Sequence, residues 1–237
     1  MTTSKFLIHY FKAHGLSNVT RAMLTIAGAD WDHKYQSWDD WDVVKPTTPL
    51  GTLPVLIETT ESGKTIVIPE AAVMERYVAS KFGLDGSTDI EKMQVNMVIS
   101  VTHWLSSFWQ HKIFRMTPEE RPKYLEEYKT IQVPEWIERA EKLLVENGSN
   151  GHFVGDKITY ADLTASGMMD YLLAVKGMDA VLNEKTAPNL FANKRKTDSH
   201  PRYHAFRKSD LFDELSAGME IIVNPKVPFD MKKSHIC

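Results

Sequence analysis

The hydrophobic period of this chain changes once, near residue 85, and that change fixes the classes of fold open to it. Before it, strand and helix signals alternate. Residues 5–10 (KFLIHY) form a short apolar, aromatic run of the kind that makes a buried strand. Residues 16–27 carry Val19, Met23, Leu24 and Ile26 at helical spacing, with Ser17 or Asn18 as the cap and Gly28 as the stop. Residues 31–35 read as a second strand. Residues 53–58 and 65–68, joined through Ser62-Gly63, read as a hairpin. Residues 70–82 read as a helix with Val73, Met74, Tyr77 and Val78 on one side. The order is β-α-β, then β-β-α.

From residue 89 the strand signals nearly vanish. Residues 90–115 predict one long helix, with Met93, Met97, Val101, Trp104, Leu105 and Phe108 as its apolar face. Residues 124–147 predict a second, bent near Pro134 and broken at 148–151. Residues 160–175 predict a third that is apolar all round, and therefore central. Shorter helical pieces are expected at 189–192 and 204–215, and an extended tail from Asn224, which carries Pro225 and Pro228. The expected architecture is an α/β domain over 1–84, a linker near 83–88, an all-α domain over 89–223 and the tail over 224–237.

Composition narrows the function classes. Hydrophobic residues make up 43% and charged residues 25%, which excludes a wholly disordered chain. The net charge is −3, from 28 basic and 31 acidic residues, and lacks the basic excess of a nucleic-acid binder. The one cysteine is Cys237, so neither an intrachain disulfide nor a thiolate-rich metal site is expected. The opening residues lack the basic and long apolar regions of a secretory signal, and no stretch approaches a spanning helix, so a cytoplasmic protein is expected.

Two local motifs stand out. Thr159-Tyr160-Ala161-Asp162 is a capping box with Asp in place of the usual Glu, and Ile158 and Leu163 supply a hydrophobic staple. Its carboxylate reads as a helix-start signal rather than as a catalytic acid. Leu53-Pro54-Val55 places a residue without a donor at a strand entry. That suits a sheet edge, a cis bond, or a plain loop-to-strand entry, and the tripeptide alone favours the last.

Taken in order, several residues resemble the cytosolic glutathione transferases, most closely the tyrosine-using, sigma-like type. The carriers are Tyr10-Phe11, Arg21, Trp41, Lys45, the run Pro49-Leu-Gly-Thr-Leu-Pro54-Val-Leu, Glu70, Arg76-Tyr77 and the Thr159–Asp162 box. The likeness spans about residues 5–215. It implies a thioredoxin-like first domain, an all-helical second domain and a two-fold homodimer. It also implies an enzyme that lowers the pKa of the glutathione thiol and delivers the thiolate to a small hydrophobic electrophile, with isomerase or peroxidase variants. A free thiol with a pKa near 8.5 is only a few per cent ionised at neutral pH, and a hydroxyl donating to the sulfur favours the thiolate.

The resemblance makes Tyr10 that donor. Trp41 and Lys45 meet the glycyl end, a cation against a carboxylate. Leu53, before a cis Pro54, pairs with the cysteinyl backbone as a short strand addition. Glu70 and Ala71 meet the γ-glutamyl end. Glutathione enters as cosubstrate, and no other cofactor is implied.

Four positions depart from the family pattern: Leu16 for an arginine, Thr52 for a lysine, Ala71 for a serine and Asn96 for an acidic residue. Ser17, four residues before Arg21, is the rival sulfur donor, as in serine-using classes. The electrophile pocket is expected to draw on His14, Trp104, Phe108 and Trp109. His103 and His111 read as ordinary helix histidines rather than as metal ligands, and 193–196 (NKRK) as a solvated loop rather than a polyanion patch. The competing functions are a non-catalytic binding module, motivated by the four departures, and a thiol–disulfide oxidoreductase, disfavoured because no cysteine lies near the first helix.

Overall fold

A computed structural model of the chain describes residues 4–117 and 119–223, with side chains described through 219. The predicted tail over 224–237, with Cys237, lies outside the described residues. The chain divides into two compact units: residues 4–82 with Pro201–Met219, and Gly83–His200 with 220–223.

The first unit holds a four-stranded mixed sheet of β1 (Lys5–Phe11), β2 (Asp30–Gln36), β3 (Val55–Thr59) and β4 (Thr65–Pro69), in the order β2-β1-β3-β4. β1 runs parallel to β2 and antiparallel to β3, and β3 and β4 form the predicted hairpin. Phe6, Ile8 and Tyr10 of the inner strand β1 are buried. β2 lies at the sheet edge and exposes Asp30, Asp32 and Lys34, charges that discourage pairing with another chain. α1 (Asn18–Ala27) follows a 3₁₀ turn at Gly15–Ser17 and buries Ala22, Met23 and Leu24 completely. Burying side chains such as Met23 and Leu24 contributes roughly 1.5–3 kcal/mol each. α2 (Trp41–Val44) and a 3₁₀ turn over Lys45–Thr47 lead toward β3, and α3 (Ala71–Lys81) follows β4. This is the expected thioredoxin-like β-α-β, β-β-α arrangement.

The second unit is helical. α4 (Asp89–Phe108) starts on Thr88, whose hydroxyl accepts the Glu91 amide at 3.1 Å. It continues into a π-helical turn over Trp109–Phe114, so the single predicted helix ends in a widened turn. Its inward residues are Val95, Val98, Ile99, Thr102 and Leu105. Of the predicted face Leu105 is buried, but Met93, Met97 and Trp104 are 56%, 40% and 38% exposed. α4 carries two apolar stripes, and periodicity alone cannot say which one meets its own core.

α5 (Arg121–Glu127), a π-helical turn over Tyr128–Gln132 and α6 (Val133–Glu146) form one continuous path. Pro134 lies in the first turn of α6. The π turn lies just ahead of Pro134, whose missing N–H leaves a carbonyl of that turn without a helical donor. α7 (Tyr160–Leu173) packs against α4 and α8 (Pro188–Asp198) and is buried over most of its surface, as its all-round apolarity predicts.

The capping box has a structural role. The carboxylate of Asp162 accepts the amides of Thr159 at 2.7 Å and Phe153 at 2.9 Å, and the Asn193 side-chain amide at 2.7 Å. Residues 193–196, expected as a solvated loop, lie inside α8. Lys194 pairs with Asp170 at 2.6 Å and Asp198 at 3.0 Å, Arg195 with Glu184 at 2.6 Å, and Lys196 donates to the Asn150 carbonyl at 2.7 Å. The helix escaped sequence reading because these residues carry no apolar stripe. Of their partners, Asp170, Glu184 and Asn150 lie outside the helix.

α9 (Pro201–Arg207) returns to the first unit and packs on α1, where Arg202 donates to the Ile26 carbonyl at 3.0 Å. α10 (Asp210–Val223) follows, and its residues through Met219 belong to the first unit.

Candidate active site

Sheet register gathers the candidate residues at one end of the first unit. His9 pairs with Val55, and Val55 with Pro69. Tyr10, Pro54 and Glu70, each one residue beyond a paired position, therefore emerge together. Phe11 pairs with Gln36, so the chain leaving β2 starts from the same end. The Phe11 ring stacks on Trp38 at 3.6 Å and meets Trp41 edge-on at 5.6 Å, which holds α2 there.

The Tyr10 side chain lies over the turn that follows its own strand. Gly15 has φ +41°, and a β-carbon on it would stand 2.6 Å from the Tyr10 hydroxyl. Only glycine fits that approach. The Leu16 N–H then donates to the Tyr10 hydroxyl at 3.2 Å. Beneath the turn, the fully buried Arg21 donates through Nη1 to the carbonyls of Ala13 at 3.0 Å and His14 at 3.1 Å. Burial lowers its pKa to about 10, opposed by charge interaction with Tyr10 and Tyr35. The guanidinium stays charged at neutral pH and is electrostatically coupled to Tyr10.

The other candidate residues of the first unit lie between the end of β2 and the start of α3. Trp41 is buried, and its indole N–H has no hydrogen-bond partner among the described residues. Lys45 opens the 3₁₀ turn after α2, half-buried, and forms no ion pair among the described residues. The Leu53–Pro54 bond is cis. Glu70 caps α3 with φ 72° and ψ 119°, a left-handed backbone that costs a non-glycine residue about 1–3 kcal/mol. Its carboxylate accepts the Thr52 hydroxyl at 3.2 Å. Ala71 begins the helix, where the first amides have no intrahelical acceptor.

A model of the glutathione S-transferase C-terminal domain matches residues 104–210. The class-mu 28 kDa glutathione S-transferase isozyme of Schistosoma mansoni is 32% identical over 164 residues, 69% of this chain and 76% of the relative. The chain belongs to the glutathione S-transferase family. Its enzyme class is that family's, glutathione transferase. A sigma-class glutathione S-transferase structure from Fasciola hepatica superposes with a TM-score of 0.73 at 25% identity, covering 95% of this chain and 99% of that one. A monomeric glutathione S-transferase from the hookworm Necator americanus shares the fold with a TM-score of 0.74 at 22% identity, over 87% of this chain and 97% of that one.

Within this transferase fold the other predicted residues are distributed as follows. Ser17 is fully buried, and its hydroxyl donates to the His14 carbonyl at 3.4 Å. His14 is also buried: its ring lies 4.4 Å from that of Phe212, and Nε2 stands 3.2 Å from the Ser216 hydroxyl. In the helical unit, Trp104 is 38% exposed beneath the Arg139 guanidinium at 4.9 Å. Phe108 stacks on Tyr128 at 5.7 Å, while Trp109 is buried edge-on to Tyr128 and Tyr171. Among the described residues no group of three or more His, Cys, Asp or Glu side chains is placed to hold a metal ion, and no helix is long and apolar enough to cross a membrane.

Sequence reasoning missed Gly15 and the turn-bracing contacts of Arg21. A glycine five residues after a strand-end tyrosine was the visible signal for the first. The second depends on a fold that returns α1 beneath the turn.

Proposed function

We propose that this glutathione transferase activates its cosubstrate through Tyr10, whose hydroxyl donates to the glutathione sulfur and stabilises the thiolate. The observation that carries this reading is the hydrogen bond from Leu16 N–H to the Tyr10 hydroxyl. A hydroxyl that accepts such a bond is polarised into a better donor. Arg21 adds a fixed positive charge coupled to the same group. The contact of Ser17 with the His14 carbonyl favours Tyr10 over Ser17.

Glutathione then spans the end of the sheet. Lys45 and the indole N–H of Trp41, unpartnered among the described residues, take the glycyl carboxylate. The Leu53 backbone pairs with the cysteinyl residue. Glu70 takes the γ-glutamyl ammonium, and the first amides of α3, beginning at Ala71, take its carboxylate in place of the family's serine. The thiolate attacks a small hydrophobic electrophile; His14 in the first unit and, separately, Phe108 and Trp109 in the helical unit are the residues we assign to its recognition. The bond formed is sulfur to carbon, and the electrophile's leaving group departs with the electron pair. We place this reaction in the cytoplasm and divide its labour between residues 1–84 and 89–223.

We propose a homodimer as the working form. Ile90, Met93, Met97 and Trp104 leave an apolar stripe exposed on α4, of the kind that marks a protein interface. Light scattering after size exclusion tests this, with a dimer mass expected and a monomer mass contradicting it.

The test of the activity is retention on immobilised glutathione followed by conjugation of chlorodinitrobenzene. Binding with turnover is expected. Binding without turnover would leave only a glutathione-binding module and overturn the catalytic reading, and the absence of both binding and turnover would overturn the reading whole.

A further inference from the structure

Helix α10 sits directly on the turn that carries Tyr10's partners. The His14 N–H donates to the Leu215 carbonyl at 3.3 Å. The His14 ring lies against Phe212, and its Nε2 faces the Ser216 hydroxyl. Lys12 pairs with Glu214 at 2.8 Å. The Gly15 N–H donates to the Met219 sulfur at 3.2 Å. Each of residues 12, 14 and 15 is thus tied to α10, and the next residue, Leu16, supplies the amide that holds the Tyr10 hydroxyl.

Gly218 makes this seating feasible. A β-carbon there would stand 2.1 Å from the Lys12 carbonyl oxygen and 3.1 Å from the Ala13 α-carbon. Both are backbone atoms, which cannot swing aside. Glycine is also the least favourable residue in a helix interior apart from proline. Its place in α10 therefore runs against helix propensity and follows from the close approach.

We infer that α10 is a positioning element of the candidate active site, seated by His14 and Gly218 on the turn over residues 12–15 so as to fix the Leu16 amide against the Tyr10 hydroxyl. The inference rests on the Tyr10 reading above and extends it to a helix some 200 residues away in the chain, as the 204-residue separation of Gly15 and Met219 shows. Neither Gly218 nor Met219 reaches the sulfur in this role. They act through the turn.

Gly218→Val and Met219→Ala in the full chain test it. The first forces α10 off the turn, and the second removes the sulfur acceptor without a clash. The charged and titratable groups around this turn are Arg21 on α1, Tyr35 on β2, Lys12 and His14 on the turn and Glu214 on α10. Neither variant changes any of them. Hydrogen exchange at the Gly15 and Leu16 amides is expected to accelerate about tenfold or more in both variants. In Gly218→Val the acidic limb of log(kcat/KM) against pH, with glutathione and chlorodinitrobenzene, is expected to rise by about one unit, a tenfold loss below it. Glutathione affinity measured below the acidic limb, where the bound thiol is protonated, should change less than about twofold, because Trp41, Lys45, Leu53 and Glu70 are untouched.

Unchanged exchange at both amides, or faster exchange with an unmoved pH limb, overturns the inference. If the wild type itself shows no turnover, the Tyr10 reading fails. The exchange rates then still decide whether α10 holds the turn.

Discussion

The Leu16 N–H stands 3.2 Å from the hydroxyl of Tyr10 and donates to it across a turn that only a glycine can make. Strand β1 delivers the tyrosine, the 3₁₀ turn delivers the amide, and Arg21 braces the turn from below through two carbonyls. A hydroxyl held in this way is prepared to donate before any ligand arrives. Under the proposed function, that preorganisation is what would let a neutral phenol shift the pKa of the glutathione thiol.

Gly15→Ala tests the turn. The new methyl group meets the Tyr10 ring and hydroxyl, and the left-handed backbone is strained for alanine. A stability loss of about 1–3 kcal/mol is expected in urea unfolding, together with a fall of about tenfold or more in kcat/KM, as a displaced catalytic group produces.

Glu70→Gly separates stability from binding. Relief of the positive φ offsets glycine's extra chain entropy, so stability is expected to hold or to rise by up to about 1 kcal/mol. Loss of the carboxylate is expected to raise KM for glutathione about tenfold, as a lost charge-assisted contact does. Steady-state kinetics and thermal unfolding on the same sample check both halves.

His33 makes stability depend on pH. Burial, with Arg21 nearby, lowers its pKa to about 4, opposed by Asp32. The unfolded chain binds a proton near pH 6.5 that the folded chain refuses until about pH 4, so stability is full above 6.5 and falls as pH drops through that window. After discounting for its partial exposure, the loss is roughly 1–3 kcal/mol. His33→Phe is expected to flatten that part of the curve of unfolding free energy against pH and to leave the region above pH 7 parallel to wild type.

Asp162→Ala is expected to destabilise without altering the chemistry. It strands the buried amides of Thr159 and Phe153 and the side-chain amide of Asn193. At about 1–3 kcal/mol for each unsatisfied group, a loss of at least about 3 kcal/mol is expected. The pKa of bound glutathione in the surviving folded protein should match wild type. A catalytic-acid role for Asp162 would instead show in the pH profile.

Strands β1, β3 and β4 were legible in the sequence because they are short apolar runs set off by turn residues, and local signals suffice for them. The capping box was equally plain, since its partners lie three residues apart. The predicted face of α4 failed at Met93, Met97 and Trp104 for a physical reason. Met93 and Met97 are as apolar as Val95, Val98 and Ile99, and composition does not distinguish a buried stripe from an exposed one. Residues 193–196 were misread because much of their order comes from Asp170, Glu184 and Asn150, outside the helix, rather than from an apolar stripe. The meeting of Tyr10, Pro54 and Glu70 was foreseen from a family resemblance. The register of β1, β3 and β4 now supplies the reason for it. Gly15 beneath Tyr10 and Gly218 against Lys12 are contacts in space, and no spacing rule announces them.

The pKa of the glutathione thiol bound to wild type and to Tyr10→Phe, followed by thiolate absorbance, tests the central claim most directly. In wild type it should lie more than about one unit below the free-thiol value of about 8.5. In Tyr10→Phe it should return to within about half a unit of that value, with glutathione still bound. A bound thiol in Tyr10→Phe that stays as acidic as in wild type would contradict Tyr10 as the activating group.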